Sequence, residues 1–290
     1  MKIIGKIKRI FLRRRTFLPL NKEEKINMED LRESVKMIDL GNDLSLEWVR
    51  NQIKIKELIL SGDIRDFLNW PIIMTTMFYG GNHHEFDALK KSPRWNSMYK
   101  NNLYEDKIGN PSRYTESLNS SSNLVHHFYS LEQLFVNIPS FDLKKINSIF
   151  EFGGGYGSFA RLVLRLGFKG EYTIFDFKIF NLLQKYFIKS SSIKNMSKNV
   201  LYVNDIKNIN GEFDLFVSLW ALSESPLYLR DEILNKCIQS KYILIGYQDS
   251  FENNNNINYF NEIQSRYNNF KWIQYEIPHI VGNHYLIGYK

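Results

Sequence analysis

The chain has 290 residues, of which 43% are hydrophobic and 15% aromatic, enough to bury one large core or a core with a covering segment. Its single cysteine, Cys237, excludes an internal disulfide and suits a reducing cytoplasm, and no apolar run reaches the roughly 18 residues of a membrane span. The net charge of +7 lies at one end, because residues 1–15 hold seven of the 38 basic side chains and no acid. The rest of the chain is neutral, which argues against a broad nucleic-acid surface.

The basic segment at the amino terminus, residues 1–20, has the pattern of an amphipathic helix. Apolar side chains recur at helical spacing over residues 3–11, and the bases fall mainly on another face. Such a helix suits an anionic membrane surface, where each base contributes roughly 1 kcal/mol. A helix docked on the protein and a contact with RNA are the alternatives. We predict a cytoplasmic protein that binds peripherally to the inner face of the membrane through residues 1–15.

Residues 21–140 are predicted to form a helical cap. Helices are indicated over 25–40, 44–60, 63–79 and 124–136. Pro71 should end or kink the third of these, and Ser120-Ser121-Ser122-Asn123 offers N-cap residues to the fourth. Gly80-Gly81-Asn82 opens a polar stretch between them. A helical segment before an α/β sheet commonly covers the substrate pocket, so we expect this one to act as a lid.

Four glycines follow the first predicted strand. In Ile149-Phe150-Glu151-Phe152-Gly153-Gly154-Gly155-Tyr156-Gly157, an apolar run ends in a carboxylate and a glycine turn, and a helix-compatible segment follows. That order is typical of a site for a nucleotide-like cofactor, since glycine lets a ligand approach the backbone. Gly155 to Ala160 also fits the dinucleotide pattern G-x-G-x-x-G/A. Glu151 would repel a pyrophosphate, however, and favours a cofactor with a cationic ammonium group, such as S-adenosylmethionine. A dinucleotide and a purely structural turn remain alternatives.

Further strands alternate with helices after this turn. Strands are predicted over 171–176, 199–206, 213–220 and 241–247, and helices near 178–188 and 227–239. This alternation predicts an α/β fold over residues 141–290, a Rossmann-like, doubly wound and mostly parallel sheet. Asp176 and Asp205 each end a strand, where such sheets bind ligands. We expect Asp176 to accept hydrogen bonds from ribose hydroxyls, Asp205 to bind the adenine amino group, and Ile206 to contact the ring. Capping of a helix and a place in a solvated loop are the alternatives for each acid.

These motifs resemble those of class I S-adenosylmethionine-dependent methyltransferases. Glu151 to Gly157 is similar to the first motif of that family, and Asp176 and Asp205 fall at its ribose and adenine acids. A narrower resemblance links residues 105–290 to bacterial sugar O-methyltransferases of surface-polysaccharide gene clusters. It is carried by the Glu151 turn, Tyr172-Thr-Ile-Phe-Asp-Phe, Leu182-Leu-Gln-Lys-Tyr-Phe, Ser218-Leu-Trp-Ala-Leu-Ser-Glu224 and Gly282-Asn-His-Tyr-Leu-Ile-Gly288. The chain departs from that pattern at Phe177-Lys178, where the family has leucine-proline.

The resemblance implies an O-methyltransferase that binds S-adenosylmethionine through Gly153, Gly155 and Gly157. The implied acceptor is a sugar hydroxyl of a nucleotide- or lipid-linked surface glycan. A methyltransferase of RNA, protein or a small metabolite, and a non-catalytic cofactor-binding domain, are the alternatives. Because the main body is neutral, we expect no nucleic-acid partner.

A sugar hydroxyl is weakly acidic, so methyl transfer should need a base poised near neutral pH. The candidates are Glu224, which follows the fourth strand, His126 and His127 in the helix before the sheet, and His279 and His284 beside the terminal hairpin. Adjacent helical residues diverge by about 100°, so at most one of His126 and His127 is expected to face the pocket.

We expect no metal in the site. His83-His84-Glu85 and Asp87 are ligand types, but adjacent histidines on a flexible backbone seldom form a defined site. No closely spaced pair of aspartates follows the fourth strand, where a metal-dependent O-methyltransferase should place one. A divalent cation such as Mg²⁺ is the alternative.

Overall fold

The computed structural model describes residues 19–39, 46–78, 83–113, 119–209 and 211–290. The predicted basic helix and the Gly80-Gly81-Asn82 segment therefore lie outside the described residues. The helices are α1 (Lys22–Lys36), α2 (Leu46–Ser61), α3 (Pro71–Thr76), α4 (His83–Lys91), α5 (Ser122–Asn137), α6 (Ser158–Arg165), α7 (Lys178–Ser190), α8 (Leu227–Cys237) and α9 (Asn256–Arg266). The strands are β1 (Ser148–Phe152), β2 (Glu171–Phe175), β3 (Val200–Val203), β4 (Leu215–Leu219), β5 (Tyr242–Gln248), β6 (Ser250–Phe251), β7 (Asn254–Asn255), β8 (Lys271–Glu276) and β9 (Asn283–Tyr289).

A seven-stranded sheet organises the carboxyl-terminal half, in the order β3-β2-β1-β4-β5-β9-β8. Strands β1 to β5 are parallel, whereas β9 pairs antiparallel with both β5 and β8. The strand order reverses between β1 and β4, and ligands of such sheets bind outside the carboxyl ends of the strands at that point. The predicted α/β fold, with its Rossmann-like and mostly parallel sheet, is confirmed.

Each face of the sheet is covered by its own hydrophobic core. Because side chains alternate along a strand, Ile149 of β1 points into one core and Phe150 into the other. The first core contains α6, α7 and the cap helices, and the second contains α8 and α9. The sheet is therefore doubly wound, as predicted. Glu151 lies on the same face as Ile149, under α7 and the cap.

The proposed cap, residues 21–140, shares the first core with the sheet. Helices α1 and α2 pack against α7, α4 packs against α5, and α5 packs against α6. Helix α5 begins at Ser122, and the side chain of Ser121 accepts a hydrogen bond from the backbone N–H of Leu124 at 3.0 Å, as its sequence predicted. Pro71 occupies the first turn of α3 and separates it from the preceding 3₁₀ segment, as expected.

Several boundaries differ from the predictions. Helix α1 begins at Lys22 rather than near residue 25, because Asn21 and Glu24 form a reciprocal capping box. The stretch beginning with His83 was expected to be flexible but forms α4, whose inner face buries Glu85 and Leu89 at the i, i+4 spacing of a helix.

No helix in the described ranges is both long and apolar enough to cross a bilayer.

Candidate active site

A cavity of about 890 Å³ opens at the carboxyl ends of the parallel strands, where the strand order reverses. Its floor is the glycine turn after β1 and the loops after β2, β3 and β4. Its outer wall comes from the proposed cap, through Thr75 to Phe78 and the first turns of α5. Six of the seven predicted cofactor residues line this cavity: Glu151, Gly153, Gly155, Asp176, Asp205 and Ile206.

Glu151 is a buried carboxylate at the base of the cavity, with 4% of its surface exposed. Tyr172, on the neighbouring strand β2, donates a hydrogen bond from its hydroxyl to Oε2 of Glu151 at 2.9 Å. Burial raises the pKa of Glu151 to about 8; the Tyr172 bond opposes that rise and the charge of Asp176 adds to it. An ionised Glu151 therefore gains from a cation placed beside it.

Asp176 follows β2 and is held in place by several donors. Gln184 of α7 donates to Oδ2 at 2.8 Å, and the backbone N–H of Phe177 donates to Oδ1 at 2.8 Å. Burial raises the pKa of Asp176 to about 7, although these bonds and the N–H groups of Gly155 and Gly154 oppose the rise. Gln184 also donates to the carbonyl of Gly155 at 3.0 Å, so a single side chain joins the acid to the glycine turn.

The glycine turn is required where it meets the loop after β4. Gly153 has φ +77°, and a Cβ at this position would lie 2.0 Å from the Cβ of Ala221. No other residue fits there without moving one of the two loops. Gly157, predicted to contact the cofactor, does not line the cavity but caps α6 in a left-handed conformation, φ +94°. The last glycine of the motif therefore ends the turn, and Gly154 lines the cavity beside Gly153 and Gly155.

Asp205 and Ile206 lie at one end of the cavity, beside a group of aromatic rings. The Asp205 side chain accepts a hydrogen bond from the backbone N–H of Lys207 at 2.9 Å, so the capping alternative holds for this residue even though it also lines the cavity. The ring of Trp48, on α2, lies 6.0 Å from the rings of both Phe177 and Phe180. This end is therefore an apolar slot with a carboxylate at its edge.

Trp220 stands at the opposite end, directly after β4. Its φ of +68° is uncommon for a residue with a side chain and shows that the surrounding contacts fix this position. The indole Nε1 donates to Oδ1 of Asn283 at 2.7 Å, and the ring lies over Gly246, where a Cβ would lie 3.0 Å from it, closer than ordinary van der Waals contact. The His126 ring lies 5.0 Å from the Trp220 ring.

Both His126 and His127 line the cavity, so the expectation that at most one would face it is wrong. The cavity wraps around the inner side of α5, which exposes two adjacent positions to it. Nδ1 of His126 lies 2.7 Å from Oε1 of Glu85, whereas Nδ1 of His127 is buried without a hydrogen-bond partner among the described residues. Burial holds the pKa of His127 well below its ordinary value, and the charges of His126 and Arg161 lower it further.

Glu224 also lines the cavity, at the end of a 3₁₀ turn after β4. Burial raises its pKa to about 7, with a further rise from the charge of Glu47 on α2; the amide of Gln248, at 3.4 Å, opposes it. Arg230 fixes this turn from below, donating to the carbonyls of Ser223 and Ser225 at 2.5 and 2.7 Å. The turn therefore holds Glu224 rigidly, with its carboxyl poised near neutral pH.

The other two histidine candidates do not line the cavity. His279 lies between β8 and β9, with Nε2 at 2.9 Å from Oε1 of Glu85. His284 lies on β9 and pairs with Asp249 at 2.6 Å. No group of three or more His, Cys, Asp or Glu residues in the described ranges is arranged to hold a metal ion. Asp87 points outward and pairs with Lys90 at 2.9 Å, so the ligand types near residue 85 do not converge.

Three side chains with clear roles in this geometry were not predicted from sequence. Gln184 and Tyr172 hold the two buried acids, and Glu85 joins two histidines. For Glu85 a signal existed, because a carboxylate at i, i+4 spacing to a buried leucine is unusual on the apolar face of a helix. For Gln184 and Tyr172 the partner lies on a different element, and local sequence carries no sign of it.

No family model and no curated protein sequence matches the chain. Among solved structures, it is similar to the methyltransferase domain of bacterial CtHen1, with 9% identity and a TM-score of 0.44 over 57% of this chain and 97% of that one. An O-methyltransferase family protein from Burkholderia thailandensis has 12% identity and a TM-score of 0.41 over 72% and 70%. The Methanococcus jannaschii fibrillarin pre-rRNA processing protein has 14% identity and a TM-score of 0.39 over 51% and 68%. Likenesses this distant add no argument about chemistry, and the fold rests on the strand order and the two cores described above.

Proposed function

We propose that the chain is an S-adenosylmethionine-dependent O-methyltransferase that acts on a sugar hydroxyl of a nucleotide- or lipid-linked surface glycan. The observation that carries this proposal is the pair of buried carboxyl groups, Glu151 and Asp176, on either side of the glycine turn. Burial raises the pKa values of both, to about 8 and about 7, so each is costly to ionise in the absence of a cation. A cationic ligand would remove that cost.

The residues present fit this cofactor. Glu151 would hold the ammonium group of its methionine part, Asp176 would accept the ribose hydroxyls, and the slot formed by Ile206 and the Trp48 group would take the adenine, with Asp205 at its edge. When bound, S-adenosylmethionine supplies a methyl group on a cationic sulfur. The protein then has to orient the acceptor hydroxyl and receive its proton.

The charged side chains of the cavity also argue against a dinucleotide cofactor and against an RNA substrate. Those that line it among the described residues include four carboxylic acids: Glu151, Asp176, Asp205 and Glu224. In their ionised forms, these four acids would repel the pyrophosphate of a dinucleotide and the backbone of an RNA strand. They suit a cationic cofactor and an acceptor that presents an uncharged hydroxyl group to it.

The acceptor end suits a small ligand. Trp220, Tyr156 and Phe78 line it with aromatic surface, and Asn123 and Thr76 provide polar atoms, the mixture of apolar walls and few polar groups that is typical of small-ligand sites. Several of these residues come from 21–140, which supports the proposal that this segment is a lid. The sugar itself rests on the resemblance to surface-polysaccharide methyltransferases, as does the proposed position at the inner face of the membrane.

Methyl transfer by the full-length protein tests this function. The protein is incubated with isotopically labelled S-adenosylmethionine and a panel of nucleotide sugars, lipid-linked glycans, RNA and peptides, and products are read by mass spectrometry. Label in a sugar ether supports the proposal, and label only in RNA or protein contradicts it. Comparison of surface glycans from cells with and without the gene then identifies the methylated sugar.

A further inference from the structure

Helices α5 and α6 supply two polar side chains to one wall of the candidate active site. His127 of α5 and Ser158, the first residue of α6, both line the cavity. The ring of His127 lies 5.9 Å from that of Phe159, with the two ring planes nearly perpendicular at 84°. His127 therefore packs against the first turn of α6, next to Ser158.

The hydroxyl group of Ser158 lacks a hydrogen bond within the protein. Ser158 is 1% exposed, and its Oγ is buried without a partner among the described residues. A buried polar group that makes no hydrogen bond lowers stability, and native proteins keep few of them. Because this one lies on the wall of a cavity, a ligand in the cavity can supply the missing bond after the hydroxyl rotates about the Cα–Cβ bond.

His127 is an uncharged donor in this wall. Burial holds its pKa well below the ordinary value, and the charges of His126 and Arg161 lower the pKa further, so the ring is neutral at pH 7. Its Nδ1 is buried without a hydrogen-bond partner in the part of the chain that the structure describes. A neutral imidazole has one N–H and one lone pair, and a buried N–H without an acceptor is rarer than a buried lone pair without a donor. The proton therefore belongs on Nε2.

The surroundings of this wall are polar but offer no positive charge to a ligand. Asn123, one helical turn before His127, donates its side-chain amide to the hydroxyl of Tyr156 at 3.0 Å. No lysine or arginine among the described residues lines the cavity. Arg161, farther along α6, is fully buried and paired with Glu105 at 2.5 Å. Such a wall suits an uncharged oxygen better than a carboxylate, which gains most from a cation.

We propose that His127 and Ser158 bind a second hydroxyl group of the acceptor sugar, other than the one that is methylated, an inference that rests on the proposed function. The Nε2–H of His127 donates to that oxygen, and Oγ of Ser158 accepts the hydrogen bond that the hydroxyl donates. A sugar carries several hydroxyl groups, so holding one of them determines which other faces the methyl group. The pair therefore selects both the acceptor and the position that is methylated, and disfavours a deoxy sugar that lacks the bound hydroxyl.

Nuclear magnetic resonance of the full-length protein with ¹⁵N-labelled histidine tests the state of His127 without an acceptor. The chain has six histidines, and the His127→Gln spectrum identifies the signals of His127. We expect a neutral ring that is protonated on Nε2 and does not titrate between about pH 5 and pH 8. A neutral ring protonated on Nδ1, or a titration midpoint near the ordinary value of 6.5, would overturn the proposal.

Thermal unfolding tests whether Ser158 lacks a partner within the protein, with Ser130 as the matched control. Ser130 is another buried helical serine that does not line the cavity. Its Oγ donates to the carbonyl of His126 at 2.9 Å and lies 2.8 Å from the hydroxyl of Tyr285. Ser130→Ala should lower Tm by about 2–4 °C, whereas Ser158→Ala should leave Tm unchanged or raise it. An equal fall in both variants would show that Ser158 is bonded within the protein and would overturn its assignment.

Methyl transfer to sugars tests the contact itself. On a sugar that accepts the label, His127→Leu and Ser158→Ala should each raise the acceptor KM by about 3–10-fold, with a smaller change in kcat and the same S-adenosylmethionine affinity. His127→Gln keeps an N–H near the position of Nε2–H and should recover most of the loss seen in His127→Leu. Deoxy analogues of the sugar then locate the contact, because wild type and His127→Leu should have equal KM values for the analogue that lacks the bound hydroxyl.

Two kinetic outcomes would overturn the assignment of this pair. One is an unchanged acceptor KM in both His127→Leu and Ser158→Ala. The other is weaker S-adenosylmethionine binding with an unchanged acceptor KM, which would assign the pair to the carboxylate of the cofactor. Absence of label in every sugar would count against the proposed function instead, and the resonance and unfolding measurements would still decide the states of His127 and Ser158.

Discussion

Glu85 and His126 come from helices 41 residues apart in sequence, yet their side chains meet at 2.7 Å with both groups buried, 0% and 3% exposed. The contact joins α4 to α5 at the edge of the cavity, and His279 completes it from the carboxyl-terminal hairpin at 2.9 Å. Three distant parts of the chain therefore converge on one carboxyl oxygen. Burying a carboxyl group costs free energy unless hydrogen bonds replace those lost to water, and two ring nitrogens lie within hydrogen-bond distance of this one.

The two proposed bases can be separated by their glutamine variants. We expect His126→Gln to reduce kcat by roughly 10²–10⁴-fold and Glu224→Gln to reduce it by less, because the carboxyl group of Glu85, 2.7 Å from Nδ1 of His126, would stabilise a proton received by that ring. Initial rates at saturating cofactor measure both. A larger loss in Glu224→Gln would transfer the role to Glu224, whose pKa of about 7 suits a base.

The glycine turn gives a second prediction, with an internal control. Gly153 and Gly167 both have positive φ, +77° and +94°. A Cβ at Gly153 would lie 2.0 Å from the Cβ of Ala221, whereas a Cβ at Gly167 would have no neighbour within 4 Å in the part of the chain that the structure describes. Gly167→Ala should cost about 1–2 kcal/mol of unfolding free energy, from the left-handed backbone alone. Gly153→Ala should cost clearly more and weaken cofactor binding. Equal losses in denaturant unfolding would refute the close contact.

The buried acids predict how stability depends on pH. Burial raises the pKa of Glu151 from 4.5 to about 8 and that of Asp176 from 3.8 to about 7. It also raises the pKa of Glu224 from 4.5 to about 7. Between the ordinary and the raised pKa values, from about pH 4 to pH 8, the folded protein therefore holds more protons than the unfolded chain. Its free energy of unfolding should fall as the pH rises through this range. Thermal unfolding of the cofactor-free protein should show a lower Tm near pH 8 than near pH 5. Glu151→Gln should flatten the dependence, and a Tm that rises with pH would contradict the burial of these acids.

The sequence predicted the features whose interacting residues lie close together in the chain, and it did not predict those whose interacting residues lie far apart. The glycine turn, the alternating strands and Asp176 are local patterns, and all fall where they were predicted. Helix α4 was missed because the polar letters of His83-His84-Glu85 conceal a two-residue inner face, Glu85 and Leu89. The bond from Glu85 to His126 depends on the packing of α4 against α5, which periodicity alone does not specify. Gly157 belongs to the glycine motif by sequence, but in the structure it caps helix α6 and does not line the cavity.

Residues 1–15 of the basic segment give a prediction that concerns the membrane. If it binds an anionic surface, the full-length protein should sediment with anionic vesicles and be released as salt rises, because screening shortens electrostatic attraction. Replacing its seven lysines and arginines by glutamine should abolish sedimentation and leave the methyl-transfer rate in solution unchanged. Equal binding to neutral and anionic vesicles would refute the electrostatic part.

Binding of S-adenosylmethionine to the full-length protein, measured by calorimetry, tests the central claim most directly. Glu151→Gln and Asp176→Asn should each weaken binding by about 1–3 kcal/mol, as expected for hydrogen bonds to charged groups. Glu132 is the control: it is a buried acid on α5 that pairs with Arg94 at 2.8 Å and does not line the cavity, so Glu132→Gln should leave binding unchanged. Affinity should also rise with pH up to about 8, because the proton on Glu151 must leave before the carboxylate can pair with a cation. Saturable binding with these losses is the predicted result. No binding of S-adenosylmethionine, or tight binding of NADH in its place, would contradict the proposed function.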